Sequence, residues 1–248
     1  RICMGGSCLA SGAPEIADAF RKELAAEGLA DQVAVRAAGC MGPCVRGPVL
    51  RVGDGTFYQG VKPEDAAEIV REHLVSGRVV DRLIAHDEAT GKPQAKDGEI
   101  PFFTKQTQIV LRNCGKIDPE RIEETVARDG YAALAKVLGE LKPEQVVEEM
   151  KGSGLRGRGG AGFPTFMKWE FTRRAPGETK YVLCNADEGD PGAYMDRSVL
   201  EGDPHSVIEG MAIAAYTVGA AQGYVYVRAE YPLAVARLKK AIEQARAC

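Results

Sequence analysis

Four cysteines near the amino terminus are the clearest candidates for chemistry in the sequence. They occur as two close pairs, Cys3-x4-Cys8 and Cys40-x3-Cys44, with 31 residues between the pairs. Glycines and other small residues inside each pair let the backbone curl around a metal centre and direct amides at sulfur, which stabilises a reduced iron–sulfur cluster. The spacing favours a [2Fe–2S] cluster with these four ligands. Zinc, whose ribbons usually have two-residue spacings in both halves, and four unligated thiols are the alternatives.

A glycine-rich segment near the middle of the chain is the second candidate. Residues 154–163, GLRGRGGAGF, contain Gly157-x-Gly159-x-x-Gly162, the letter pattern of a dinucleotide-binding turn. That turn needs a strand before its first glycine and a helix directly after its last. Here a predicted helix, EQVVEEMKG, comes before the glycines and Pro164 follows them, so the usual interpretation fails. A Walker A loop is also excluded, because no Gly-Lys-Ser/Thr closes the segment.

Positive charge around the same glycines points to an anionic ligand. Glycines let backbone N–H groups approach a phosphate closely, and Arg156, Arg158 and Lys168 add cationic side chains. Linkers rarely combine two arginines with an aromatic sequence such as FPTFMKWEF. We therefore favour a phosphate-bearing ligand over the alternative of a flexible linker.

A polar loop supports a ligand site in the same region. It follows the predicted strand KYVLC, and open α/β sheets bind ligands at the carboxyl ends of their strands. Its carboxylates and amide suit the hydroxyls of a ribityl or ribose group and the polar edge of a flavin, whereas a solvated turn is the alternative. The residues concerned are Asn185, Asp187, Glu188 and Asp190.

Composition limits the possible classes of protein. Apolar residues make up 45% of the 248 residues and charged residues 27%, as in a soluble globular protein. The net charge of −3 does not favour a broad nucleic-acid surface, and no apolar run reaches the roughly 18–20 residues of a membrane helix. Seven cysteines, an odd number in a chain of this size, argue against a secreted disulfide framework and indicate a cytoplasmic protein.

The first part of the chain, to Gly77, predicts a small α/β sandwich of thioredoxin-like type. Its order is a helix opened by Pro14, a strand in QVAVRAAG, a hairpin turning at Asp54-Gly55, and a helix in PEDAAEIVREHLVSG. We expect a further first strand ahead of Arg1, because the order otherwise begins with a helix.

The remaining chain predicts a connector and a second α/β region. Residues 78–117 are polar and irregular, and their last part, QIVLRNCG, predicts a short strand or an extended docking segment. Residues 118–248 alternate helices with the strands KYVLCN, which we expect to be buried, and GYVYVRAEY. This order predicts a mainly parallel sheet. The chain opens without an initiator Met and stops after a helical stretch, so we expect a fragment of a longer protein.

Both regions resemble known families. Residues 1–77, with all four cysteine positions filled, resemble the thioredoxin-like ferredoxin of NADH dehydrogenase complexes. Residues 151–248 resemble the flavin-binding subunit of complex I-type NADH dehydrogenases. The motifs that carry this resemblance are GLRGRGGAGFPT-x-x-KW and, after it, CNADE-x-x-PG-x-x-x-DR. Two further stretches look most like the flavin (β) subunit of soluble, often electron-bifurcating, [FeFe]-hydrogenases. They are IVLRNCGKIDPERIEE and ADEGDPGAYMDRSVLEGDPHSV. The β subunit of NAD-dependent formate dehydrogenase is the near neighbour.

The resemblance implies a site for FMN and for NAD(H) or NADP(H) in a non-classical Rossmann-like domain. The glycine loop and Lys168 would lie against FMN, and the acidic loop would hold the polar groups of the flavin. Two phenylalanines would sandwich the adenine, and Asp190 would lie near the nicotinamide. The implied cofactor-binding residues are Gly157, Arg158, Gly159, Gly160, Ala161, Gly162, Phe163, Lys168, Phe171, Asn185, Asp187, Glu188 and Asp190.

The resemblance also implies an NADH:acceptor oxidoreductase without a catalytic side chain, because the flavin carries the hydride chemistry. Electrons would pass singly through iron–sulfur clusters to partner subunits. These are an iron–sulfur catalytic subunit of a hydrogenase or formate dehydrogenase, a small thioredoxin-like [2Fe–2S] subunit, and ferredoxin if electrons are bifurcated. A flavin-free electron-carrier or docking module is the alternative of another class.

Two departures from the family pattern accompany this expectation. Phe166 stands where relatives usually have glycine. The family's acidic GEE segment and the cysteine motif of its [4Fe–4S] cluster have no counterpart up to Cys248, so both are expected in a missing carboxyl-terminal part.

Overall fold

The predicted mixture of helices and strands is present in the computed structural model, which describes all 248 residues. The chain forms two units. The first contains Arg1–Pro119 together with Glu201–Asp203, and the second contains Glu120–Leu200 together with Pro204–Cys248. Residues 78–117, expected to be a connector, belong to the first unit. The predicted boundaries of the functional domains stay predictions.

A four-stranded sheet forms the centre of the first unit. Its strands are β1 (Ile2–Cys3), β2 (Ala37–Ala38), β3 (Leu50–Arg51) and β4 (Phe57–Tyr58). Their spatial order is β2-β1-β3-β4, with β1 parallel to β2 and antiparallel to β3. β3 and β4 pair as the predicted antiparallel hairpin. Its turn contains Gly55, whose φ of 92° lies in the left-handed region that favours glycine.

The first strand of the sheet was expected ahead of Arg1, but the structure contains a strand directly after Arg1. β1 itself is that strand, because Ile2 pairs with both Ala37 and Leu50. Ile2 and Cys3 are both buried. Two residues are too few to display the alternation by which strands are found in a sequence, so the pattern gave no signal.

Helices and short hairpins complete the first unit. The α-helices are α1 (Gly6–Ala10), α2 (Ala13–Ala26), α3 (Asp65–Glu68), which continues as a π-helical stretch at Ile69–Val75, and α4 (Pro101–Thr104). Single 3₁₀ turns occur at Cys44–Arg46, Asp81–Leu83 and Asp97–Glu99. A small antiparallel pair joins β5 (Ala85–His86) and β6 (Pro93–Gln94).

The helix α2 shows how the sequence builds the core of this unit. Ile16, Ala17, Phe20 and Leu24 recur at helical spacing and are all buried, as predicted. They pack in one hydrophobic cluster with the sheet residues and with Ile69. Complete burial of a large apolar side chain contributes about 1.5–3 kcal/mol, so this stripe accounts for much of the attachment of the helix to the sheet.

The strand or extended docking segment expected in QIVLRNCG is wrong. The segment forms consecutive turns, in which the amides of Lys116 and Ile117 both donate to the carbonyl of Asn113. Ile109 and Val110 are mostly exposed. Their apolar character suggested a strand, but no neighbouring strand is available to bury them.

The second unit alternates helices with two strands. Its elements are α5 (Ile122–Val126), α6 (Ala132–Glu140), α7 (Pro143–Gly152), α8 (Thr165–Arg174), β7 (Tyr181–Ala186), α9 (Met195–Gly202, whose last two residues belong to the first unit), α10 (Pro204–Val218), β8 (Gln222–Val227) and α11 (Pro232–Ala247). β7 and β8 are parallel and in register along their whole length. The predicted parallel α/β arrangement is therefore confirmed.

The expectation that β7 is a buried strand is only half right. Ala186 is buried in a cluster with Leu200 and Leu238 on one face of the sheet. On the other face, Tyr181 and Leu183 are 48% and 72% exposed. Apolar residues on both faces are typical of a strand covered on both sides. In this structure only one face of β7 is covered.

Candidate functional site

The four predicted cluster cysteines come together in the first unit. Cys3 ends β1, Cys8 lies in α1, Cys40 follows β2, and Cys44 begins a 3₁₀ turn. The Sγ atoms of Cys40 and Cys44 are 3.9 Å apart, and the Cys3 thiol contacts those of Cys8 and Cys40. The sulfurs therefore form one continuous chain of contacts. Cys3 and Cys8 are buried, whereas Cys44 is exposed, so one end of the chain reaches the surface.

The backbone approaches these sulfurs closely at two glycines. A Cβ added at Gly5 would lie 3.1 Å from the Cβ of Cys40, and one at Gly47 would lie 3.1 Å from the Sγ of Cys8. Both distances are tighter than almost all real contacts of a Cβ atom. Gly5 is one of the small residues inside the cysteine pairs that were interpreted as letting the backbone curl around a metal centre, whereas Gly47 lies outside both pairs.

Backbone amides are directed at the sulfurs, as the sequence predicts. The amides of Gly5, Gly42 and Val49 donate to the thiols of Cys3, Cys40 and Cys8, in that order. Amide donors to sulfur stabilise the additional negative charge of a reduced cluster. The donor set and its four thiols thus fit a [2Fe–2S] cluster.

Two of the four thiols, Cys3 and Cys40, resist ionisation in this environment, whereas the hydrogen bond with Cys3 lowers the pKa of Cys8 despite its burial. The pKa of Cys40 is raised well above its usual range, first by its hydrogen bond with Cys3 and then by burial. For Cys3 the hydrogen bond with Cys40 favours the thiolate, but contact with Cys8 and burial outweigh it and raise the pKa to about 11. Thiolates at this place need the positive charge of a bound metal. A [2Fe–2S] cluster distributes its four ligands over two iron atoms.

The glycine loop of the second unit closes on itself between α7 and α8. The amide of Gly157 donates to the carbonyl of Phe163 over 2.9 Å, and Arg156 Nη1 donates to the carbonyl of Gly162 over 3.0 Å. Gly160 and Gly162 have φ values of 97° and 61°, which side chains rarely adopt. The structure thus confirms a shaped loop rather than a Rossmann turn, because a helix and not a strand comes before it.

The presence of glycine at position 159 of this loop is not explained by contacts or backbone conformation within the protein. A Cβ at Gly159 would meet no atom within 4 Å, and its φ is not in the left-handed region. Neither backbone conformation nor internal packing therefore requires glycine there. Open space beside an exposed backbone is what the approach of a ligand would require.

Two predicted site residues lie together at the end of this loop. Lys168 Nζ in α8 lies 5.8 Å from the centre of the Phe163 ring, within the range of a cation–π interaction. Phe163 is 38% exposed and Phe171, one turn of helix beyond Lys168, is 56% exposed. Arg158 Nη1 donates to the carbonyl of Arg156, so its guanidinium is held against the loop. Ala161 is exposed.

The acidic loop begins at the carboxyl end of β7, as predicted. Asn185 Oδ1 accepts the amide of Asp187 over 3.1 Å, and the carbonyl of Asp190 accepts the amide of Ala193 over 3.1 Å. Asn185 and Asp190 are exposed, and Asp187 is half-buried. These side chains are thus placed at the strand end where a ligand would lie in an open α/β sheet.

Glu188 has a structural role that its sequence position did not reveal. Its carboxylate accepts the amides of Asp196 and Arg197 over 2.7 and 3.0 Å, and the Tyr231 hydroxyl over 3.1 Å. It therefore caps the first turn of α9, where a negative charge is favourable. A φ of 46° at Glu188 shows that the loop turns sharply there. Its predicted contact with a flavin stays a prediction.

Sequence reasoning missed two residues that support this loop. Arg228 Nη1 donates to the carbonyl of Glu188 over 2.9 Å, and its guanidinium carbon lies 5.3 Å from the centre of the Tyr231 ring. Both follow β8, whose last residue, Val227, pairs with Ala186. Because parallel strands end at the same edge, a search of the residues just after GYVYV would have found them.

Phe166, which replaces the expected glycine, lies in the first turn of α8. Its ring is partly buried, and Lys151 Nζ lies 6.0 Å from the ring centre. The helix therefore accommodates the side chain without a special backbone conformation.

None of the helices combines the length and the apolar character needed to cross a membrane.

Comparison with known proteins assigns the stretch with the four cysteines and the stretch with the two loops to different families. Residues 1–74 match the thioredoxin-like [2Fe-2S] ferredoxin family and residues 150–248 match the Nuo51 FMN-binding domain. A solved thioredoxin-like [2Fe-2S] ferredoxin from Aquifex aeolicus is 32% identical, with a TM-score of 0.32, over 35% of this chain and 93% of its own.

Two curated relatives share longer stretches. The NADP-reducing hydrogenase subunit HndC of Solidesulfovibrio fructosivorans is 61% identical over 57% of this chain and 29% of its own length. A subunit of the NADH-quinone oxidoreductase of Rhizobium meliloti is 51% identical over 55% of this chain and 32% of its own. The alignments thus span about a third of the length of these relatives. The chain combines a thioredoxin-like [2Fe–2S] ferredoxin domain with a Nuo51 FMN-binding domain.

Proposed function

We propose that this chain belongs to the flavin subunit of a multi-subunit NAD(P)H oxidoreductase. It would exchange a hydride between NAD(P)H and FMN and exchange single electrons with partner subunits. The observation that carries this proposal is the presence, in one chain, of four converging cysteine sulfurs and a glycine loop with an open backbone face. The two matched domains, a [2Fe–2S] ferredoxin and an FMN-binding domain, support the same combination.

The cysteines would hold the cluster. Cys3, Cys8, Cys40 and Cys44 supply four thiolates, and the amides directed at three of them favour the reduced form. A [2Fe–2S] cluster supplies one-electron transfer when bound. Exposure of Cys44 leaves one edge of the site near the surface, where a partner could exchange electrons.

The two loops of the second unit would hold FMN and the pyridine nucleotide. Backbone amides of the glycine loop, with Arg158 and Lys168, would bind phosphate groups. Asn185 and Asp187 would bind polar groups of the flavin. FMN supplies the hydride chemistry when bound, so the protein contributes orientation and electrostatics rather than a catalytic acid or base.

The remaining predicted residues would bind the nucleotide. Phe163 and Phe171 are exposed aromatic side chains suited to stacking on an adenine. Asp190, exposed in the acidic loop, would lie near the nicotinamide.

A hydrogenase is the parent enzyme we propose. The 61% identity to part of a NADP-reducing hydrogenase supports it over a formate dehydrogenase or a complex I-type NADH:quinone oxidoreductase. Its partners would be an iron–sulfur hydrogenase subunit and a small thioredoxin-like [2Fe–2S] subunit, with ferredoxin added in a bifurcating enzyme. The paired free cysteines fit a reducing, cytoplasmic compartment.

Bleaching of a bound flavin tests the proposed function directly. We expect the full-length protein, reconstituted anaerobically with FMN and iron, to lose its visible flavin absorbance when NADH or NADPH is added. A protein that binds no FMN, or whose flavin absorbance both nucleotides leave unchanged, would instead be an electron-carrier or docking module. Comparing the two nucleotides also identifies the preferred one.

Substitution at Gly159 tests the open face of the glycine loop. Gly159→Ala adds a methyl group that meets no protein atom, so the melting temperature should stay unchanged. If FMN lies against this backbone, its Kd should rise about tenfold, which corresponds to about 1.4 kcal/mol. Fluorescence titration with FMN measures the change. Gly139→Ala, equally free of contacts but in α6, is the matched control. Equal FMN affinity in both variants would remove this loop from the site.

Substitution at Cys40 tests the cluster ligands. Cys40→Ser should abolish or strongly alter the EPR signal of the reduced [2Fe–2S] cluster while FMN binding is retained. Cys248→Ser, at an exposed cysteine outside the quartet, should leave the signal intact. An unchanged signal in Cys40→Ser would show that the ligand set is wrong.

A further inference from the structure

Three residues from late in the sequence are built into the first unit. Glu201–Asp203 fall within the stretch that matches the FMN-binding domain, yet they belong with Arg1–Pro119. Both acids are deeply buried, with Glu201 3% and Asp203 0% exposed. Buried carboxylates are rare and costly, so their position calls for an explanation beyond a solvated turn.

The first of these acids contacts the loop between Cys3 and Cys8. The amide of Gly6 lies 3.4 Å from Glu201 Oε2 and donates to it. Gly6 is two residues before Cys8 and three after Cys3, so this carboxylate lies against the backbone that carries two of the four thiols.

The same segment also contacts the second cysteine loop. A Cβ added to Gly39, the residue before Cys40, would lie 2.5 Å from the Cα of Gly202. No side chain could occupy that space, so the two backbones are in direct contact. Glu201–Asp203 therefore lie across both loops that carry the cluster cysteines.

The second acid is fixed on the same side of the site. Asn113 Nδ2 donates to Asp203 Oδ2 over 2.9 Å, and both side chains are buried. A Cβ on the intervening Gly202 would lie 2.6 Å from the Sγ of Cys114. Asp203 is thus held by Asn113 in a closely packed environment, so its charge cannot move away from the cluster loops.

Fixed carboxylates in this position oppose reduction of a cluster. Reduction adds one negative charge, and a neighbouring negative charge raises the free energy of the reduced form. Two like charges repel more strongly in a protein interior of low effective dielectric constant than they do in water. Burial reduces the screening that salt would provide.

We propose that Glu201 and Asp203 lower the reduction potential of the [2Fe–2S] cluster. This inference depends on the assignment of the cluster to the four cysteines under the proposed function. The two acids are not ligands. They act on the cluster through their charge, and they oppose the amide donors that stabilise the reduced state.

A redox titration of the full-length protein, monitored by EPR, tests the effect of Glu201. Glu201→Gln removes one negative charge with little change of shape. It should favour the reduced cluster about tenfold at a fixed potential, which is a positive shift of 59 mV for one electron. Glu201→Asp, which keeps the charge, should stay close to the wild-type potential. Asp31→Asn removes an exposed charge in the same unit and should shift the potential little.

The outcomes separate this inference from the ligand assignment. A wild-type protein without a [2Fe–2S] signal would contradict the proposed function. A normal signal whose potential is equal in Glu201→Gln and wild type, or shifted as much in Asp31→Asn, would overturn the inference alone. If Glu201→Gln assembles no cluster, Asp203→Asn provides the same test. Its potential should also shift upwards, and an unchanged value would overturn the inference.

Discussion

Contact among four thiols is the constraint on which the first unit depends. Sulfur atoms from two separate parts of the chain meet in a continuous series, from Cys8 through Cys3 and Cys40 to Cys44. The backbone comes so close to the cysteines that a Cβ atom at Gly5 or Gly47 would make an unusually tight contact, 3.1 Å from the nearest cysteine atom. Because the thiols of Cys3 and Cys40 resist ionisation, a positively charged metal centre would stabilise their thiolates.

In the second unit, internal contacts fix the backbone of the glycine loop and of the acidic loop but leave part of each loop exposed. The glycine loop is closed by its own hydrogen bonds, which leave Gly159 facing open space. The acidic loop is held by Glu188, whose carboxylate caps α9, and by Arg228, which donates to the Glu188 carbonyl. These internal contacts fix the backbone and leave Asn185 and Asp190 exposed. Such preorganisation reduces the entropic cost of binding a cofactor.

Sequence patterns predicted the elements that have strong local signals. The stripe of α2, the hairpin with Gly55 at its turn and the parallel strands all follow from periodicity, turn chemistry and element order. The spacing of Cys3, Cys8, Cys40 and Cys44 was enough to predict that these four cysteines share one site. β1 was missed because two residues carry no periodicity, and QIVLRNCG was mistaken for a strand because apolar composition does not show whether a partner strand exists.

Roles that depend on distant contacts could not be predicted. Glu188 was predicted to be a ligand because it lies in a polar loop after a predicted strand. Its contacts with Arg197 and Tyr231, which come from other elements, left no local signal in the sequence. The packing of Glu201–Asp203 against the cysteine loops joins residues about 160 to 195 positions apart, for which no local pattern exists. Spacing indicates which residues share a chemistry, whereas the direction of each side chain is decided by tertiary packing.

Under the proposed function, FMN and the [2Fe–2S] cluster act in one electron path. Rapid-freeze EPR of the full-length protein, mixed anaerobically with NADH or NADPH, measures reduction of the cluster before and after FMN is removed. We expect cluster reduction within a turnover when FMN is bound, and its loss when FMN is absent. Equal reduction with and without FMN, or a cluster that stays oxidised while the flavin is reduced, would contradict the account.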